Sequence, residues 1–200
     1  MPRLTRKESQ AATREMLLAS AKIVFLRDGY ARANLEGIAE HANYSKGAIY
    51  SNFDSKEEIF LELLRRKLDG DIAAVRGLIE KAQDTNALAD GIRAYLKARD
   101  DVLDFTAVAV EFLGQAGRSR ESAQICAGLY RRQRAAIAEL IALLQKRTNV
   151  RGQNPDDLAA GFVALTLGLA LQRGMDRKAV TTALWARVVE TYMSSLLGNE

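Results

Sequence analysis

Residues 29–60, GYARANLEGIAEHANYSKGAIYSNFDSKEEIF, constrain the fold of this 200-residue chain more than any other stretch. Leu35, Ile38, Ala39 and Ala42 recur at helical spacing. Asn43-Tyr44-Ser45 interrupts them, and a second helical pattern runs through Ile49, Tyr50 and Phe53. Two short helices joined by a three-residue turn have the build of a helix-turn-helix, whose second helix can enter a DNA major groove. Helical proteins also contain such corners that never touch nucleic acid, so spacing alone leaves a plain structural corner open.

The turn chemistry supports the motif. So tight a turn needs one residue at positive φ, where Gly costs least and Asn is the next best tolerated. Asn43 fills that place. Ser45 is then placed to cap the second helix by accepting from a backbone N–H two or three residues on. Ser55, with Glu58 three residues later, forms a capping-box pattern that opens another helix. Phe25 and Tyr30, with Leu18, Ile23 and Phe53, are the candidate core of this unit.

Phe25, Gly29-Tyr30, Ile38-Ala39, Ala42, Ser45-Lys46-Gly47, Ile49-Tyr50, Phe53 and Ser55-Lys56-Glu57-Glu58-Ile59-Phe60 together resemble the N-terminal domain of TetR-family transcriptional regulators. The resemblance runs without a gap from Met16 to Phe60. Three departures stand out. Ala33-Asn34 replaces the Thr followed by Ser or Thr that the family commonly has before its second helix, and Asn34 can take over that phosphate contact. Asn43-Tyr44 replaces the usual turn Gly-Val. Ala48 replaces a frequent Thr or Ser, removing a hydroxyl from the base-reading surface.

On a recognition helix starting near Lys46, the residues Lys46, Gly47 and Ala48 face base edges, Ser51 lies one turn further along, and the capping Ser45 belongs to the same DNA-binding set. Lys46 can donate to guanine O6 or N7, Ala48 can touch a thymine methyl, and Gly47 allows close backbone approach. The resemblance assigns Tyr50, Asn52 and Lys56 to phosphates, which set register without carrying sequence information. Tyr44 can meet phosphate or base. Arg3, Arg6 and Lys7 read either as a basic arm reaching backbone or minor groove or as a solvated terminus.

Composition is that of a globular chain: 48% hydrophobic, 27% charged, net charge +4. The pI near 9.3 is compatible with nucleic acid. MPRLTRKESQ lacks an apolar signal region, and the longest uncharged run, residues 158–172, reads as too short to span a bilayer. The expectation is a cytoplasmic protein with no membrane partner. A single cysteine, Cys126, excludes an intramolecular disulfide and any cysteine-cluster metal site, and no cofactor is expected.

The fold class expected is all-α: a three-helix DNA-binding domain over residues 1–55, then a helical effector-binding and dimerisation domain over residues 56–200, about nine helices in all. Prolines occur only at positions 2 and 155, and good helix formers dominate. Helix 1 is expected over residues 9–28 with Gly29 as its stop, and a fourth helix from Ser55 past Leu68. Residues 102–116 are apolar nearly all round, as in a central helix. A long amphipathic helix spans residues 121–146. Asn154-Pro155-Asp156-Asp157 is a helix start, and the last helix covers residues 178–197.

The body resembles the family's C-terminal domain more weakly than the head does. The resemblance implies a homodimer in which the last two long helices form a four-helix bundle with a second subunit. Small residues Ala160, Gly161, Ala164 and Gly168, with Leu184, Val188 and Tyr192, suit either that interface or packing inside one subunit. Two-fold symmetry would make the double-stranded DNA target palindromic. A small hydrophobic or aromatic effector is the second partner, with Tyr95, Leu103, Phe105, Val108, Ala109, Phe112, Cys126, Leu129 and Tyr130 as candidate lining and Met175 and Trp185 closing one end. The same stripe also reads as plain core. Glu111 can meet a ligand cation, pair with Arg134 or face water. His41 is the only histidine, and no Ser-His-Asp set, phosphate-binding glycine loop or metal-ligand spacing is visible, so catalysis is not expected. A DNA-binding architectural protein without an effector is the alternative function.

Overall fold

The computed structural model describes residues 5–99, 101–149 and 153–196. Among these the chain forms nine helices and no strand, as the all-α reading requires. They are α1 (Arg6–Arg32), α2 (Leu35–His41), α3 (Lys46–Tyr50), α4 (Lys56–Lys81), α5 (Thr85–Lys97), α6 (Val102–Ala116), α7 (Arg120–Thr148), α8 (Pro155–Met175) and α9 (Thr182–Leu196). They divide into two compact units, Met1–Lys67 and Leu68–Glu200.

In the first unit α1 starts earlier than position 9 because Thr5 closes a capping box. Thr5 Oγ1 accepts from Glu8 N at 3.3 Å, and Glu8 Oε2 accepts from Thr5 N at 2.7 Å. Gly29 breaks the helix at φ 78° and ψ 167°, where the stop was expected, and a short helical turn follows it as far as Arg32. Leu17, Leu18, Ala21, Val24 and Phe25 point inward. Ile23 falls off that stripe and is 50% exposed, so it is not a core residue. The centre is aromatic. Phe60 packs edge-on against Phe25 at 5.2 Å and Tyr30 at 5.1 Å, and Phe25 stacks on Tyr30 at 5.8 Å.

Arg14 ties three elements together. Its guanidinium donates to Asn52 O after α3 and to Glu62 and Glu58 on α4, the last at 3.1 Å, and lies 4.0 Å above the Phe53 ring. The unit therefore includes the first turns of α4, where Ile59, Phe60 and Leu64 are buried, and extends past the boundary expected at residue 55.

In the second unit α8 packs against α6 and α7. By length and composition only, the 21-residue α8 is the one helix among the described residues able to cross a membrane, although its uncharged run covers only residues 158–172. Asn154 caps it through Asp156 N at 3.0 Å with Pro155 in the first turn, as expected. The last helix begins at Thr182 rather than 178, because Asp176 Oδ1 accepts from Lys178 N and Ala179 N and holds those residues in a turn.

Gly161 and Tyr192, both assigned to a subunit interface, meet each other within the chain. A Cβ on Gly161 would lie 2.5 Å from Tyr192 Oη, which donates to Leu158 O at 2.7 Å. Gly161→Ala is expected to lower stability by about 1–3 kcal/mol, read as a fall in Tm. In a Tyr192→Phe background the added methyl faces only ring carbons at 3.4 and 3.7 Å, so the loss should shrink. Equal losses in both backgrounds would show that this contact is not the cause.

Asp104 joins α6 to the end of α8, accepting from Arg173 at 2.8 and 3.2 Å and from Arg177 at 2.6 Å. The hydrogen bonds from Arg173 hold its carboxyl below the ordinary aspartate value. Its stabilisation is thus fully present above the unfolded value of about 4 and is lost as pH falls through the lower folded value. Asp104→Asn is expected to lower Tm at pH 7 and to flatten the acid-side decline. Melting curves between about pH 6 and 3 with parallel declines for both proteins would remove this role.

Candidate nucleic-acid interface

The helix-turn-helix is set by local hydrogen bonds. Asn34 caps α2, its Oδ1 accepting from Gly37 N at 2.8 Å. Asn43 takes φ 57°, the left-handed conformation the turn requires, with its N–H on Glu40 O at 3.0 Å. Tyr44 N reaches back to Ala39 O at 2.8 Å, and Ser45 Oγ accepts from Ala48 N at 3.2 Å. Ile38, Ala39 and Ile49 are buried between the two helices and hold their crossing.

The second helix is shorter than the pattern suggests, ending at Tyr50 instead of running on through Phe53. Ser51 Oγ and Asn52 Nδ2 both donate to Ala48 O, at 2.9 and 2.8 Å, closing its C-terminal end. The exposed residues here are Asn34, Ser45, Lys46, Gly47, Tyr50 and Ser51; Tyr44, Ala48, Asn52 and Lys56 are half-buried. Lys7 is exposed on α1, while Arg3 and the side chain of Arg6 lie outside the described residues.

Lys56, assigned to a phosphate, is engaged within the unit. Its ammonium donates to Tyr30 O at 2.7 Å and Ala31 O at 3.4 Å and stands 4.4 Å from the Tyr30 ring centre, closing the end of α1. Burial lowers its pKa. Ser55 caps α4 through Glu58 N at 3.0 Å, but Glu58 Oε2 accepts from Asp54 N, so the box closes one residue early.

The structure also reveals an acid on this face. Glu36 Oε1 accepts from Tyr50 Oη at 3.0 Å and lies 3.9 Å from Lys46 Nζ. In sequence Glu36 is only an acid in the first turn of a helix, where acids are common, so nothing in the pattern singles it out.

The candidate effector residues of the second unit are mostly core. Leu103, Phe105, Val108, Ala109, Phe112, Cys126, Leu129 and Trp185 are all buried, and Leu103 and Trp185 share one apolar cluster with Leu169 and Val189. Met175 is 77% exposed and closes nothing. Tyr95 donates to Asp71 Oδ1 at 3.1 Å, and burial raises its hydroxyl pKa to about 12. Tyr130 borders a groove of about 450 Å³ with Arg131 and Arg134 on α7, Leu113 on α6 and Val163 and Leu167 on α8. Glu111 is exposed. Among the described residues no acidic, histidine or cysteine cluster able to hold a metal occurs.

Known proteins share both halves. Residues 17–63 match the family described as bacterial regulatory proteins, tetR family, and residues 85–198 match the BetI-type transcriptional repressor, C-terminal family. The HTH-type transcriptional activator FasR of Mycolicibacterium smegmatis is 26% identical over 157 residues, 78% of this chain and 70% of the relative. An HTH-type transcriptional repressor of Mycobacterium tuberculosis is 28% identical over 182 residues, 86% and 87% of the two chains. The regulator FadR from Bacillus subtilis, in a crystal structure with stearoyl-CoA, superposes with a TM-score of 0.70 at 15% identity, over 93% of this chain and 98% of that one. That last likeness speaks to the fold.

Proposed function

The chain belongs to the TetR family of bacterial regulatory proteins, and from that premise we propose that it is a ligand-responsive repressor that binds a palindromic operator as a homodimer. It is a DNA-binding transcriptional regulator, not an enzyme. The observation that carries the reading is the α2–α3 corner itself. Its left-handed Asn43 and capped Ser45 leave Ser45, Lys46, Gly47, Tyr50 and Ser51 exposed beside one another. Lys46, Gly47 and Ala48 read bases; Asn34, Tyr44, Tyr50 and Asn52 serve phosphates, with Arg3, Arg6 and Lys7 as the basic arm. Its place of action is the cytoplasm, where bacterial DNA lies.

The dimer is supported by α8, which exposes Ala164, Leu171 and Met175 at helical spacing and leaves open space at Gly168. An apolar stripe of that kind calls for a covering helix. Leu184 and Val188 flank it on α9, half-buried against the core cluster.

The effector is a small, mainly apolar molecule. Trp185 Nε1 and Thr166 Oγ1 are buried without a hydrogen-bond partner among the described residues, and an effector's polar group would satisfy such atoms. FadR from Bacillus subtilis binds a long-chain acyl thioester in the same fold, which makes acyl compounds the first effectors to try. Because α4 begins in one unit and ends in the other, a change in its tilt would alter the spacing of the two recognition helices. An effector that prefers the altered dimer lowers operator affinity by its differential affinity for the two states.

Sequencing the genomic fragments retained by the purified protein at physiological salt tests the reading. One or a few enriched palindromes, released by an effector, are the expected result. Retention without sequence preference would favour the architectural alternative, and enriched sites unaffected by any ligand would remove the effector.

A further inference from the structure

We propose that Glu36 is an internal competitor for DNA on the recognition face, holding Lys46 and Tyr50 until the duplex displaces it. The inference rests on reading α3 as the DNA-facing helix. Lys46 and Tyr50 stand one turn apart on α3, the first with its side chain 73% exposed, the second 52% exposed. Their polar ends converge on a single atom of α2. Glu36 Oε1 accepts from Tyr50 Oη at 3.0 Å and lies 3.9 Å from Lys46 Nζ.

A guanine O6 or N7 offers the Lys46 ammonium an acceptor, and a phosphate oxygen offers one to the Tyr50 phenol. With the carboxylate already in that position, docking exchanges it for the acceptors of the duplex. Glu36 is then left as a negative charge beside the DNA backbone. Its own backbone N–H, and next the Tyr50 hydroxyl, hold the carboxyl below the ordinary glutamate value, so it stays charged at neutral pH. Glu36 therefore limits affinity for every duplex and makes engagement of Lys46 conditional on a contact strong enough to replace it.

The test is E36Q, which keeps the side-chain length and an acceptor oxygen for Tyr50 while removing the charge. Binding is measured for the most enriched genomic fragment and for a random duplex, from about 50 to 200 mM salt. Affinity should rise about three- to tenfold on both, the scale of two exposed ion pairs per dimer. The slope of log affinity against log salt should steepen by about one per subunit, because each subunit then holds one negative charge fewer against the phosphates. In a K46A/Y50F background the E36Q gain should largely disappear.

Unchanged or weaker binding by E36Q, or an unchanged salt slope, overturns the proposal. So does loss of preference at a single base pair, which would make Glu36 a base reader accepting from cytosine N4. If K46A/Y50F itself leaves DNA binding intact, the reading of α3 fails instead, which separates the two.

Discussion

Phe60→Ala is expected to lower the stability of the N-terminal unit by about 3–5 kcal/mol and to abolish DNA binding at physiological temperature. Phe60 is fully buried and is the only member of the aromatic trio that comes from α4; it touches both Phe25 and Tyr30 of α1. Truncation leaves a void where side chains of α1 and α4 converge, and rigid neighbours on both sides cannot collapse into it. Tyr30 O is also the carbonyl that anchors the Lys56 ammonium, so movement of the Tyr30 ring disturbs the start of α4 as well. Hydrogen exchange is the measurement: amides of α1 to α3 should lose protection first. Full protection there, with a Tm within a few degrees of the parent, would show that the trio is not the keystone of the unit.

Lys46→Ala is expected to weaken operator binding by about 1–3 kcal/mol per half-site and to relax preference at one base pair in each. Lys46 is the first residue of α3, and its Ser45 cap fixes the direction in which the side chain leaves the helix. Titration of the operator and of single-base variants distinguishes the outcomes. Equal loss on specific and random DNA would demote Lys46 to a phosphate contact. With about six cationic phosphate contacts in the dimer, log affinity should fall against log salt with a slope near −5. Lys56→Ala is the useful comparison, because its ammonium is tied to Tyr30 O and Ala31 O: loss of stability rather than a shallower slope is the expected result there.

The helix-turn-helix was legible because every signal that makes it acts within one turn of chain. The left-handed Asn43, the Ser45 cap and the spacing of Leu35, Ile38, Ala39 and Ala42 depend on neighbours within a few residues, and each appears where the pattern puts it. The same locality explains the near misses. Thr5 with Glu8 caps α1 ahead of residue 9, and the extra residues of the last helix belong to an Asp176 turn.

The candidate effector residues were not legible in the same way. A stripe such as Phe105, Val108, Ala109 and Phe112 has one spacing whether it lines a cavity or fills a core. Only the volume left by α7 and α8 decides which, and that volume depends on side chains tens of residues away. Small residues on α8 carry the same ambiguity, and it resolved differently at two of them: Gly161 lies under Tyr192, while Gly168 has open space.

By itself, then, the sequence determined the all-helical class, the corner at residues 35–50 and its membership of a DNA-binding family, because helix periodicity, caps and positive-φ residues are properties of adjacent positions. Tertiary structure alone decided which polar groups meet. Arg14 reaches residues 38 to 48 positions away, Lys56 a carbonyl 26 positions back, and Glu36 a phenol 14 positions on. Such partners are chosen by the packing of buried faces, which brings side chains together at distances that no local pattern encodes.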